Sequence, residues 1–200
     1  MWEVQVQILP LTQHMILEVC IMKFGEIKLG GRFGGYTIIN ESADRLPQDL
    51  ASAVVSVCED KEYMLVPIWY WGTQLVNGLN HMLVCEKVQN GKYQIVVAII
   101  NIPPNSVGGK GAKLVALLDK ADLYGALKTA FDGHLKNLCG VGYHPVAYMG
   151  EKVVKGVNHY ILCEANLQYP GSRPYAAVVE INIFGSDANV TGIERLGGLG

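Results

Sequence analysis

The sequence is poor in charged residues and has no long apolar run. Charged residues make up 17% of the chain, below the roughly 25% usual for globular domains, whereas half of the residues are apolar. The net charge of −2 offers no basic field that would attract nucleic acid or anionic lipid. No apolar run approaches the ~18 residues of a membrane span. We therefore expect a globular protein with neither nucleic acid nor a membrane as its partner.

The cysteines lack the spacing of a zinc site or a disulfide framework. Their number is odd, and no CxxC or CxxH motif occurs among Cys20, Cys58, Cys85, Cys139 and Cys163. Because a free cysteine behaves as a small hydrophobic residue, we expect buried or unreactive thiols. The glycine-rich stretches at 30–35 and 108–113 lack the GK[ST] motif and the strand-to-helix context of a phosphate loop. The sequence predicts no metal and no cofactor.

The first part of the chain shows no readable signal peptide. Its first fourteen residues contain no Lys or Arg, and Glu3 and Glu18 interrupt the apolar segments. A cytoplasmic location is the default expectation. Residues 1–21 differ in character from the rest, so Met22 is an alternative start. Apolar and polar residues alternate over Trp2–Ile8, which predicts a strand, and a second extended segment is predicted at 15–29. Residues 1–33 are therefore predicted to be an N-terminal extension that contains strands.

One segment of the chain occurs twice. Tyr70–Glu86 aligns with Tyr148–Glu164 at a constant offset of 78 residues (148 − 70), with eight identities in seventeen positions and no gap. Pro67 and Pro145 extend the match at the same offset. Solenoid repeats are about 20–50 residues long, so this period is too long for a solenoid unit. It indicates a duplicated small domain.

Each copy has the pattern of one helix followed by four strands. Apolar residues at helical spacing predict a first helix at 46–58, and Asp122 is expected to cap a second helix that follows it. Asn77-Gly78 is a strong hairpin signal between the strands predicted at 63–75 and 79–89. The other strands are predicted at 36–40, 93–102, 113–118, 142–154, 157–168, 174–184 and 190–196.

The hairpin of the first copy carries a recognisable motif. Gln74-Leu75-Val76-Asn77-Gly78 resembles the Gln-x-Val-x-Gly hairpin of the cystatins, which inhibit papain-like cysteine proteases. Gly34-Gly35-Tyr36 is similar to the glycine-aromatic start of plant-type cystatins, and Pro103-Pro104-Asn105 lies where a second hairpin loop is expected. The resemblance implies an α+β fold of two cystatin-like repeats, at 34–118 and 119–200, in which an antiparallel β-sheet wraps on one α-helix.

The resemblance also implies a function. In cystatins the N-terminal glycine segment and two hairpin loops form a wedge that blocks the protease cleft. Matched onto this chain, the protease-binding residues would be Gly34, Gly35, Gln74, Leu75, Val76, Asn77, Gly78, Pro103, Pro104 and Asn105. The second copy has Lys152 in place of Gln74 and lacks the glycine lead and the prolines. Inhibition is therefore expected from the first copy alone, and a non-inhibitory protein-binding or structural module is the alternative.

No catalytic site is predicted. His81 and Cys85 lie four residues apart on one strand, a separation of about 13 Å that prevents a nucleophile–base pair. We therefore expect a chain that is not an enzyme and whose partner is a protein. Apolar residues on both faces of strands 79–89 and 157–167 predict that the second sheet faces are also covered. The candidates for this cover are the other copy, the N-terminal strands or a second chain in a homodimer.

Overall fold

The described part of the chain folds mainly into two antiparallel β-sheets. The computed structural model describes residues 37–136 and 138–197, so the predicted N-terminal strands and the predicted site residues Gly34 and Gly35 lie outside the described residues. The first sheet has five strands in sequential order: β1 (Thr37–Ser42), β2 (Met64–Val76), β3 (Gly78–Gln89), β4 (Lys92–Ile102) and β5 (Lys113–Leu118). The second has four: β6 (Val141–Val154), β7 (Gly156–Leu167), β8 (Tyr175–Phe184) and β9 (Asp187–Arg195).

The two sheets repeat each other in register as well as in sequence. Pro67 pairs with Cys85 across β2 and β3, and Pro145 pairs with Cys163 across β6 and β7. Irregularities in the pairing follow at corresponding places, after each proline and again after Tyr70 and its counterpart Tyr148. Bulges of this kind re-aim the side chains beyond them. The duplication thus preserved the local geometry of the long hairpin.

The sheets pack face to face and bury one shared core. Its largest members come from both copies: Trp71, Met82, Ile95, Met149, Tyr160, Leu162 and Leu196. The prediction that a second sheet face is covered is confirmed, and the cover is the other copy. The three consecutive aromatic residues Trp69, Tyr70 and Trp71 point to different faces of the first sheet, because side chains alternate along a strand. Trp69 and Trp71 pack in this core, whereas Tyr70 points to the opposite face of the first sheet.

Two short α-helices of the described residues lie on the outer faces of the sheets. Helix α1 (Gln48–Ser56) packs on the first sheet through Leu50, Ala53 and Val54. Helix α2 (Gly125–Leu135) packs on the second sheet through Ala130, Phe131 and Leu135. In each helix these apolar residues recur at helical spacing and therefore lie on one face. The sheet beneath the helix covers that face.

The predicted α+β fold of two cystatin-like repeats is wrong, because the chain is a β-rich pair of sheets. The helices have nine and eleven residues, whereas the strands run to fourteen, so the two sheets rather than the helices make up most of the described structure. The apolar face that binds the two halves together lies between the sheets. A strand pattern reveals which residues share a face but not what covers that face.

The secondary-structure predictions differ from the structure mainly at the ends of elements. The strands from Met64 to Phe184 begin and end within about two residues of their predicted limits. The first helix is shorter than predicted at both ends. The predicted cap Asp122 is wrong, since α2 begins at Gly125 and its N-cap position is Tyr124, without a side-chain hydrogen bond. Within the described ranges, no helix is long and apolar enough to cross a membrane.

Candidate protein-contact site

Two of the predicted contact segments lie side by side at one end of the first sheet. The hairpin tip Gln74–Gly78 joins β2 to β3, and the loop Pro103–Asn105 follows the end of β4. We call these two segments together the tip edge. Leu79 pairs with Ile102, which places the tip next to the start of the loop. Both segments line one shallow groove of about 530 Å³, with the start of helix α1 beside them.

The tip edge exposes apolar side chains. The Leu75 side chain is 81% exposed and that of Val76 is 41% exposed. Pro104 and Asn105 are also exposed. Exposed apolar residues are ordinary when they occur singly, but a contiguous group is typical of a contact surface. The tip edge therefore has the composition of a surface that contacts another molecule.

The second copy has a matching tip with a different neighbour. Val153 corresponds to Leu75 and is 79% exposed, while Val154 corresponds to Val76. No Pro-Pro loop follows β8, where Gly185-Ser186 forms the turn into β9. The two copies thus share an apolar hairpin tip, and the loop beside it distinguishes the first.

A pair of asparagines holds the hairpin tip of the first copy. The Nδ2 atom of Asn101 donates to the backbone carbonyl of Asn77 at 3.4 Å and to Oδ1 of Asn80 at 2.9 Å. Asn80 in turn donates to Oε1 of Gln74 at 3.3 Å. Gln74 was predicted to contact a partner, and in the structure its amide helps to brace the hairpin.

The second copy repeats this brace. Asn182 donates to the backbone carbonyl of Lys155 at 3.2 Å and also to Oδ1 of Asn158. The sequence patterns did not predict the role of these asparagines. The repeated Ile-Asn-Ile triplet at 100–102 and 181–183, together with Asn80 and Asn158 at the repeat offset, was the signal that could have identified it. The brace belongs to the duplicated fold and does not mark the first copy alone.

Helix α1 holds the segment that follows the Pro-Pro loop. The backbone N–H of Gly108 donates to Oδ1 of Asp49 at 2.9 Å. The neighbouring Gly109 is buried so close to the helix that a Cβ there would lie 2.6 Å from the backbone N of Ala53. Ser106 closes the loop internally by donating from Oγ to the carbonyl of Lys110 at 2.7 Å. These contacts hold residues 106–110 in place directly after the loop Pro103–Asn105.

A buried tyrosine–histidine pair lies beneath the groove. The hydroxyl of Tyr70 and Nδ1 of His81 are 2.7 Å apart, and both residues are buried. Burial raises the pKa of Tyr70 to about 12 and lowers the pKa of His81. Both groups are therefore neutral near pH 7, and the pair satisfies two polar atoms that would otherwise be buried without partners.

In the second copy the same pair is less buried, because Tyr148 is exposed and His159 is only partly buried. The hydroxyl of Tyr148 lies 2.9 Å from Nδ1 of His159 and 3.1 Å from Oε2 of Glu151. Burial lowers the pKa of His159, and the Glu151 carboxylate opposes this effect. The sequence drew attention to His81 with Cys85, a pair that the separation of about 13 Å rules out, and the tyrosines that do contact the histidines were not predicted, although they recur at the same offset of 78 (148 − 70).

The cysteines and acidic residues form neither a metal site nor a reactive buried thiol in the described part of the chain. Burial raises the pKa of the Cys85 and Cys163 thiols far above the ordinary range, so neither is a thiolate near neutral pH. No three His, Cys, Asp or Glu side chains among residues 37–136 and 138–197 are close enough to bind a metal ion together.

In comparisons with protein-family models, curated proteins and solved structures, nothing matches this chain. The resemblance of the hairpin motif to cystatins consequently stays a prediction from the sequence.

Proposed function

We propose that this chain is a protein-binding module rather than an enzyme, and that the tip edge contacts its partner protein. The observation that carries the proposal is the junction of Gln74–Gly78 with Pro103–Asn105, segments that are distant in sequence and adjacent in space. Leu75 and Val76 project from this junction into solvent.

Rigidity supports the proposal. The asparagine brace holds the hairpin, and Asp49 holds the loop through Gly108. A preorganised apolar projection loses little conformational entropy on binding, so more of its contact energy appears as affinity. It fits a partner with a concave apolar surface, where a few central apolar anchors supply most of the binding energy.

Inhibition of a papain-like cysteine protease is the form of this function that the sequence motif favours. The motif residues Gln74–Gly78 and the prolines of the loop lie side by side at one end of the first sheet, as contact of both segments with one protease cleft requires. The alternative is a non-inhibitory module that uses the same projection on another protein. Both forms make Leu75 the side chain whose loss matters most.

Titration of papain with the intact protein separates these two forms. Leu75→Asp should weaken inhibition by about a hundredfold if the tip enters an apolar cleft, since a charge would be buried there. Val153→Asp is the matched control, because Val153 is equally exposed at the equivalent position of the second copy. No inhibition by the wild-type protein at micromolar concentration would contradict the inhibitor form.

The binding-module form is tested by photo-crosslinking from a photoreactive residue at position 75, with position 153 as the control. A captured protein counts as the partner only if, once purified, it binds the wild type and Val153→Asp but not Leu75→Asp. Equal binding by the two variants would contradict a role for the tip edge.

A further inference from the structure

A second groove lies between the two sheets and shares no lining residue with the tip edge groove. Its volume is about 380 Å³, within the usual range of small-ligand sites of roughly 300–1,000 Å³. Ile68 of the first sheet, Pro174 directly before β8 and Ala176 within β8 supply apolar surface. We call it the inter-sheet groove.

The inter-sheet groove has walls of opposite charge. Asp44 and Glu86 come from the first half of the chain, and Arg173 and Arg195 come from the second. Within the described ranges, none of these four side chains forms an ion pair. Two carboxylates thus face a space that two guanidinium groups also line, without any of them neutralising another by contact.

Tyrosine rings hold the arginines in place. The Cζ atom of Arg173 lies 4.1 Å from the ring centre of Tyr93, and its Nη2 donates to the Tyr93 hydroxyl at 2.8 Å. The Cζ atom of Arg195 lies 4.6 Å from the ring centre of Tyr175. Stacking uses the flat face of a guanidinium and leaves N–H groups at its edge available, and that edge matches a carboxylate.

The two copies differ at this point. Glu164 is the repeat counterpart of Glu86, and its Oε2 accepts a hydrogen bond of 2.8 Å from the backbone N–H of Ile95 in the other sheet. Among the described residues, the carboxylate of Glu86 has no such partner and lines the groove. Glu164 of the second copy thus forms a hydrogen bond to the opposite sheet, and its counterpart Glu86 in the first copy does not. The groove occupies the place of the missing contact.

We propose that the inter-sheet groove binds a small zwitterion, namely a free amino acid or a short peptide with unblocked ends. Its carboxylate is bound by Arg173 and Arg195, its ammonium group by Glu86 and Asp44, and its side chain lies on the apolar surface. A simple anion is disfavoured by the two carboxylates and a simple cation by the two arginines, because like charges repel at close range. A molecule that carries both charges satisfies both walls.

The test is a calorimetric titration of the full chain with glycyl-leucine, N-acetylglycyl-leucine and glycyl-leucinamide. We expect binding of the unblocked dipeptide, and affinity at least about tenfold lower for each blocked form, because each block removes one charge. Free leucine serves as the arm that distinguishes amino acids from peptides. Absence of binding by both unblocked probes at about 10 mM would overturn the proposal.

Matched variants locate the binding. Arg195→Met and Glu86→Gln should each lower the affinity for glycyl-leucine by about tenfold or more. The shape-preserving Glu86→Gln keeps the test valid if Arg195→Met unfolds the protein. Leu75→Asp should leave this binding unchanged, so that failure here and failure of the proposed function are separate results. Unchanged affinity in both groove variants, or tighter binding of inorganic phosphate than of the dipeptide, would overturn the proposal.

Discussion

The Cα atom of Gly78 lies directly against the backbone carbonyl of Ile102, so closely that a Cβ at this position would overlap the carbonyl oxygen. Gly156 has the same relationship with Ile183 in the second copy. Both glycines have positive φ angles, +96° and +92°, which residues other than glycine rarely adopt. The last residue of the predicted partner-contact motif is therefore required for the hairpin to pack. Its substitution would test folding before it tested binding.

Gly78→Ala is expected to lower the free energy of unfolding by about 2–4 kcal/mol, because it adds overlap with a backbone atom to the strain of positive φ. Gly91→Ala is the control, since Gly91 has φ +73° but no atom within 4 Å of an added Cβ. It should cost only about 1–2 kcal/mol. Urea unfolding measures both values, and equal losses would contradict the packing argument.

Removal of the asparagine brace should loosen the hairpin. Asn101→Ala deletes the donor to the Asn77 carbonyl and to Asn80, and is expected to lower the free energy of unfolding by about 1–2 kcal/mol. Amide exchange at Asn77 and Gly78 should become faster. Asn182→Ala should have the same effect on the tip at Lys155 alone. An unchanged amide exchange rate at Asn77 and Gly78 in Asn101→Ala would show that the hairpin turn does not depend on the asparagine brace.

Loss of the tyrosine hydroxyl should matter far more in the first copy. Tyr70→Phe leaves Nδ1 of the buried His81 without its partner, which should cost about 1–3 kcal/mol. Tyr148 is 44% exposed, so water can replace its hydroxyl, and Tyr148→Phe should cost less than about 0.5 kcal/mol. Thermal unfolding of the two variants compares them. A larger loss for Tyr148→Phe would contradict the assignment of the buried pair.

Stability should depend on pH through a buried carboxyl group. Burial raises the pKa of Glu180 above its ordinary 4.5, although hydrogen bonds from Thr191 and Asn158 and the charge of Lys152 oppose this. The folded state therefore favours the protonated form. That contribution to stability is complete below pH 4.5 and is lost as the pH rises through the folded-state pKa.

Glu180→Gln should accordingly gain stability relative to the wild type as the pH is raised from about 4 to about 7. Glu59→Gln, at an exposed position, is the control variant. Urea midpoints measured across this range give the answer. A constant difference between Glu180→Gln and the wild type would show that the carboxyl group titrates alike in the folded and unfolded chains.

The sequence by itself determined the repeating framework. The offset of 78 residues (148 − 70) relates Tyr70 to Tyr148 and Pro67 to Pro145, and the structure repeats their pairing and bulges at that offset. Strand positions followed from alternation, and the hairpin followed from Asn77-Gly78. These features depend on neighbouring residues, so a local pattern contains the information.

Only the tertiary structure decided what covers each face and which polar groups meet. The continuous apolar run in β3 indicated that both of its faces are apolar, but the same pattern would suit a helix, a second sheet or another chain as the cover. The pairing of Tyr70 with His81 depends on the register of two strands. The different partners of Glu86 and Glu164 depend on how the two sheets are packed. Burial and packing join residues that are distant along the chain, and a single sequence does not record those distances.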